Sequence, residues 1–169
     1  MTDTDLPLPP RRLHRVEFVA LMAMLIASIA FSIDAMLPAL PEIAEELSPD
    51  DINRAQLILT IFVLGMGVGT FVTGPISDAI GRKPVIVIGA ALYCTASVAA
   101  WLAGSLELLL LARFVQGLGA AGPRIVALAI IRDLYAGRDM ARLMSFIMLV
   151  FTIVPAIAPT IGAGIIALV

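Results

Sequence analysis

Charge, histidine and cysteine are all scarce in this 169-residue chain, and each scarcity closes a class of function. Only 14% of the residues are charged while 60% are hydrophobic, and mean hydropathy reaches +1.03. A soluble domain carries about 25% charged residues, so water is not the solvent of this chain. The single cysteine, Cys94, leaves no disulfide framework and reads as a small apolar packing residue. The single histidine, His14, lies near the terminus, with no metal-ligand cluster and no phosphate-binding loop elsewhere. That poverty argues against an enzyme and implies no cofactor. Nothing points to a nucleic-acid partner, and the net charge of -2 decides little because the charges are segregated.

The chain has uncharged runs instead. Residues 55–77 and 84–106 are uncharged stretches of 23 residues each, and the last 27 residues carry no charge. A bilayer core of about 30 Å needs about 20 helical residues, so each run can span. Residues 18–41 hold only Asp34, and residues 108–131 only Arg113 and Arg124. The expected fold is an all-α, polytopic transmembrane helix bundle, with helices over about 17–41, 55–77, 84–106, 108–131 and 143–168. Continuous apolarity favours helices over the alternation of a barrel. Residues 1–16 form a proline-bearing tail, and residues 17–169 the bundle. The run after Arg11, Arg12 and Arg15 is too long for a signal peptide and leads into Pro38 and Pro41, not a cleavage site.

Orientation follows from the basic residues. With alternating helices, Arg11, Arg12, Arg15, Arg82, Lys83, Arg132, Arg138 and Arg142 gather on one side. Arg54 stands on the other side with Glu42, Glu45, Glu46, Asp50, Asp51 and Glu107. The positive-inside rule then puts the N-terminus in the cytoplasm.

Ionisable groups inside a span cost at least about 2.5–3.5 kcal/mol at mid-bilayer and need a reason. Asp34 and Arg113 fall at similar depth, nearer the outer face, so a carboxylate facing an arginine is the expected pairing. Asp34 shares a stripe with Ala23, Ala27 and Ala30, which either allows a close helix contact or leaves room for a cavity. Arg113, Gln116, Gly117, Ala120 and Arg124 share one face of the fourth helix. They form either the polar wall of a translocation path or a structural ion pair plus an arginine snorkelling to the interface.

Between the second and third helices lies GPISDAIGRKP, residues 74–84. Gly74 is expected where helices approach, Gly81 in the turn, and Pro84 in the first turn of the next helix. Asp78 can pair with Arg82, Asp133 is a second candidate partner for Arg82, and Lys83 faces the anionic leaflet. A bridge that breaks as bundles rock would act as a latch; a plain topology signal is the alternative. In the fifth helix, Pro155 and Pro159 each remove a backbone hydrogen bond, and Gly162 follows, as in a kinked pivot element or a static bend.

These segments together resemble the major facilitator superfamily. Residues 74–84 are similar to its signature loop between helices two and three. DAMLPALP at 34–41 resembles the first-helix motif of its drug:proton antiporters, and RFVQGLGAA at 113–121 their fourth-helix motif. RDLY at 132–135 and PAIAPTIG at 155–162 are similar to the bicyclomycin- and chloramphenicol-resistance branch. Ala79, Thr70 and Ala163 depart from the usual basic residue, glutamine and glycine of those motifs.

The resemblance implies a proton-coupled exporter of small hydrophobic compounds in a bacterial inner membrane. Arg113 would be the proton-linked arginine and Asp34 a proton- or cation-responsive carboxylate. Asp78 and Arg82 would form the latch, and residues 155–162 the antiporter-type motif. Twelve helices are the family pattern, so five imply an amino-terminal portion, inactive without a carboxy-terminal half. The alternatives are a non-transporting truncated or partner membrane protein, and a metabolite facilitator of the same fold.

Overall fold

The structure, a computed structural model, describes residues 14–49 and 51–167. The tail carrying Arg11 and Arg12 lies outside them. Among the described residues, five helices are long and apolar enough to cross a membrane.

Helix α1 (Arg15–Asp34) opens with the Glu17 carboxylate accepting from the His14 backbone N–H at 3.0 Å. The expected first helix ran unbroken to residue 41; α1 instead ends at Asp34. Pro38 has no N–H to continue the ladder and disfavours helical geometry at Leu37. The chain therefore passes through a 3-10 turn, Leu37–Ala39, before a short α2 (Leu40–Leu47).

Helix α3 (Leu57–Ile80) and α4 (Arg82–Trp101) are separated by Gly81 alone, at φ +95°. That backbone conformation suits a residue without Cβ, and it reverses the chain in one step. The expected loop of 78–83 is accordingly almost all helix. Helix α5 (Leu106–Leu134) is capped by Ser105, whose Oγ accepts from the Leu108 N–H at 3.3 Å. Helix α6 (Gly137–Ile166) starts six residues before the expected 143, because its first turns carry Arg138, Asp139 and Arg142. It continues unbroken through Pro155 and Pro159.

The core is built on α5, which packs against α3 on one side and α4 on the other. Side chains of lipid-embedded helices gain little from leaving an apolar solvent, so close backbone approach must hold the bundle. Gly65 and Gly117 provide it between α3 and α5. A Cβ on Gly65 would land on the Phe114 carbonyl, and one on Gly117 on the Phe62 carbonyl. Gly74, expected at such a contact, has nothing within 4 Å of its would-be Cβ. It lies one residue off the buried stripe of Gly65, Gly69, Thr73 and Ser77, and so faces away from the contact.

Helix α1 sits against α5 and α6 through Met22, Ala23 and Ile26, which pack with Ala127, Ile131, Leu143 and Ile147. Ala27 and Ala30 are also buried, so the small-residue stripe of α1 makes a close contact rather than opening a cavity. Large apolar side chains elsewhere, among them Phe71 and Trp101, point outward, as a lipid-facing surface requires.

Contacts at the two ends fix the alternation of the helices. Arg82 meets Asp133, and the Phe18 ring lies 5.9 Å from that of Tyr135, so the start of α1, the α3–α4 turn and the end of α5 share one end. Arg54 meets Glu107 at 3.2 Å at the opposite end.

Candidate functional site

Two polar clusters interrupt the apolar bundle. The first is at the α3–α4 turn. Gly81 directs Arg82 back along α3, where its Nη1 donates to Asp78 at 2.9 Å and to the Ser77 hydroxyl at 2.7 Å. Its Nη2 reaches across to Asp133 of α5 at 3.3 Å. Both carboxylates expected beside Arg82 are there, on two different helices. Lys83 is exposed beside them. Ser77 was missed in the sequence; it is 2% exposed and lies one turn before Gly81, which is the signal that could have found it.

Exposed ion pairs contribute about 0.2–1 kcal/mol each. Arg82→Gln removes two at once and should lower stability by about 0.4–2 kcal/mol, whereas Asp133→Asn removes one and should cost about half as much. Thermal melts of the detergent-purified variants check this ordering. Equal melting of parent and Arg82→Gln would mean that the network contributes nothing to the resting fold.

The second cluster lies in the half of the bundle nearer α2. Arg113 stands seven residues into α5, about 10 Å from its start at 1.5 Å per residue. Its Nη1 donates to the Gln116 side-chain oxygen at 2.9 Å, and Gln116 Nε2 donates to Ser97 Oγ at 2.7 Å. Ser97 in turn donates to the Tyr93 carbonyl at 2.8 Å, anchoring the chain of bonds in α4. Gln116 is 5% exposed, so a charge, an amide and a hydroxyl form one continuous line inside the bundle.

Arg113 Nη2 contacts the sulfur of Met36, and its Nε is buried without an acceptor. The expected Asp34–Arg113 pairing is absent from the described residues. Asp34 is half-buried, the last residue of α1, with no hydrogen bond or ion pair among them. Because α1 stops there, the turn brings Met36, two residues on, to face α5. Gly162 of α6 fixes that turn, since a Cβ on it would land on the Ala35 carbonyl. Arg124, one face-repeat below, is half-buried with its Nη1 3.9 Å from the Met66 sulfur.

A cavity of about 430 Å³ opens beside this line, bordered by Met36, Glu46, Ser97, Trp101, Arg113 and Gln116. Ser97 and Met36 were not foreseen. Tyr93 and Ser97, spaced at i and i+4 on α4, were the available sign of a polar stripe. The guanidinium, held on one edge by an amide and bordering the cavity, can donate a further hydrogen bond to an acceptor there.

Residues 20–169 match the sequence profile described as Major Facilitator Superfamily. The chain is 33% identical over 159 residues to an uncharacterized MFS-type transporter, YdgK, of Bacillus subtilis, covering 94% of this chain and 39% of that protein. It is 34% identical over 151 residues to a bicyclomycin resistance protein homolog of Haemophilus influenzae, covering 88% and 37%. It is 35% identical over 131 residues to the multidrug resistance protein MdtL of Vibrio parahaemolyticus, covering 78% and 33%. The chain thus spans between 33% and 39% of the length of these curated relatives.

Proposed function

This chain belongs to the major facilitator superfamily, and from that membership we propose that it supplies helices of a secondary transporter exporting small hydrophobic compounds in exchange for protons. The observation that carries this is the Arg113–Gln116–Ser97 line beside its cavity, a polar track that an inert apolar bundle has no use for. The names of relatives, for multidrug and bicyclomycin resistance, support drug-like compounds as the substrate class in this reading. Asp34, half-buried and unpaired among the described residues, is the carboxylate available to take up a proton. Arg124 extends the track towards the other end. Arg82 with Asp78 and Asp133 is the latch, its bonds to two helices made and broken as bundles rock.

The basic end that holds Arg82, Lys83, Arg132, Arg138 and Arg142 faces the cytoplasm in this proposal, with the protein in a bacterial inner membrane. Catalysis of a covalent reaction has no place in it.

Everted vesicles carrying the protein expressed from its native gene provide the test. A fluorescent hydrophobic cation or neutral dye should accumulate when the proton gradient is imposed and be released when an ionophore collapses it. Accumulation indifferent to the ionophore would replace the antiporter with a facilitator; no accumulation of any apolar dye would remove export altogether.

A further inference from the structure

The polar line inside the bundle has a direction. An arginine only donates, so the Gln116 group that meets Arg113 Nη1 must be the side-chain oxygen. The far end of the amide carries the same demand. Ser97 has one hydroxyl hydrogen, and it is committed to the Tyr93 carbonyl at 2.8 Å, four residues back on its own helix. Toward Gln116 that hydroxyl can then only accept, and Nε2 donates to it at 2.7 Å. Without the hydroxyl the amide is held at the Arg113 end alone and can turn out of line. The line stops on a backbone carbonyl, which has no hydrogen to pass on, so it orients its members and relays nothing.

Backbone packing brings the two side chains together. A Cβ on Gly119 would lie 2.6 Å from the Tyr93 amide nitrogen, so α4 and α5 touch through their backbones there. Ser97 and Gln116 stand one turn further along, four and three residues from that contact, within reach of a side chain as short as serine's. From Gln116 to Tyr93 the line lies wholly within α4 and α5, and Gln116 is 5% exposed.

We propose that Ser97 is a positioning residue for transport, a role that rests on the exporter proposed for this chain. It fixes the Gln116 amide and, through it, sets the Arg113 guanidinium against the cavity.

Everted vesicles carrying the protein expressed from its native gene, as Ser97→Thr and as Ser97→Val, test this, because the two branched side chains differ by a hydroxyl. Threonine readily bonds the carbonyl four residues back and should keep efflux close to that of the parent. Valine should lower the maximal gradient-driven rate at least roughly tenfold per amount of folded protein, the scale of loss when a working group is held out of line. The half-saturating dye concentration should not change. Equal rates in the two variants would overturn the proposal. So would a half-saturating concentration that rises as the rate falls, which would make Ser97 a direct substrate contact. Melting of the detergent-purified protein reads the geometry separately. Ser97→Val should lower the melting temperature more in the parent than in Gln116→Leu, where no amide is left without its acceptor. Equal losses in both backgrounds would remove the coupling of Ser97 to Gln116. A parent that moves no dye would remove the exporter and the transport role together, while the coupling in melting would stand.

Discussion

Valine in place of Gly117 is expected to leave the chain without a folded bundle. The first added carbon already meets backbone: the Phe62 carbonyl, and the Met66 amide nitrogen at 2.8 Å. Neither atom can swing aside as a side-chain tip would, so α3 and α5 must separate. Gly65 on the opposing helix is pressed against the Phe114 carbonyl in the same way, and the pair forms a single mutual contact. Separation would also open the buried packing of Phe62 with Ile29 and Ala120.

Overpacking of a tight site costs about 1–3 kcal/mol, which is the expectation for Gly117→Ala. The branched side chain adds two more methyl groups at the same point and should exceed about 4 kcal/mol, a size reached only when packing fails outright. Gly67→Ala and Gly74→Ala are the controls, since nothing lies within 4 Å of either would-be Cβ. Both should purify and melt like the parent. A monodisperse Gly117→Val with an unchanged melting temperature would show that the α3–α5 crossing does not hold the bundle together.

The five spans were legible because charge is costly in lipid, and long runs with at most two charged residues have few other uses. Their ends were not. An uncharged run marks the hydrocarbon core and not the helix end: α6 begins at Gly137, six residues before the uncharged run that starts at Leu143. The break after Asp34 was written in Pro38 and Pro41, but a proline tells where a helix can fail and leaves open whether it does.

The sites divide along the same line. Asp78 and Arg82 are four residues apart, and Asp133 falls at the same end, so charge and spacing alone led to that cluster. For Arg113, depth along the helix was readable and angle was not. One residue turns a helix by about 100°, and the backbone stays in the right-handed helical region through Ala35 and Met36, so Asp34 and Met36 point to opposite sides and the thioether meets Arg113 instead of the carboxylate. Gln116 was visible as an amide in an apolar stripe; Ser97, small and neutral on another helix, needed three dimensions to be joined to it. Gly74 shows the reverse error: a small residue is easy to notice, but which helix it faces is settled by the crossing geometry.

Arg113→Ala is expected to abolish proton-driven efflux, by more than roughly tenfold or about 1.4 kcal/mol on the transport barrier, while leaving the protein close to the parent in stability. The two halves of that expectation separate function from scaffold. A cation inside a bilayer costs about 2.5–3.5 kcal/mol, and Arg113 recovers part of this through Gln116 and Met36 while its Nε has no acceptor. Removing the whole side chain relieves that burden but leaves the buried Gln116 side-chain oxygen without its donor, a cost of about 1–3 kcal/mol. The two nearly cancel, so melting should stay close to that of the parent.

Arg113→Lys keeps the charge without the planar fork that reaches Gln116 and Met36 together, so it should retain only partial efflux and a weakened response to the imposed gradient. Ser97→Ala leaves the buried Gln116 Nε2 without its acceptor and should cost about 1–3 kcal/mol in stability, with no embedded cation relieved in return. If Arg113→Ala instead lowers the melting temperature in step with efflux, the arginine is a structural tie between α5 and the turn after α1. The proton-linked role would then pass to Asp34, where Asp34→Asn in the same vesicles should abolish the response to the gradient.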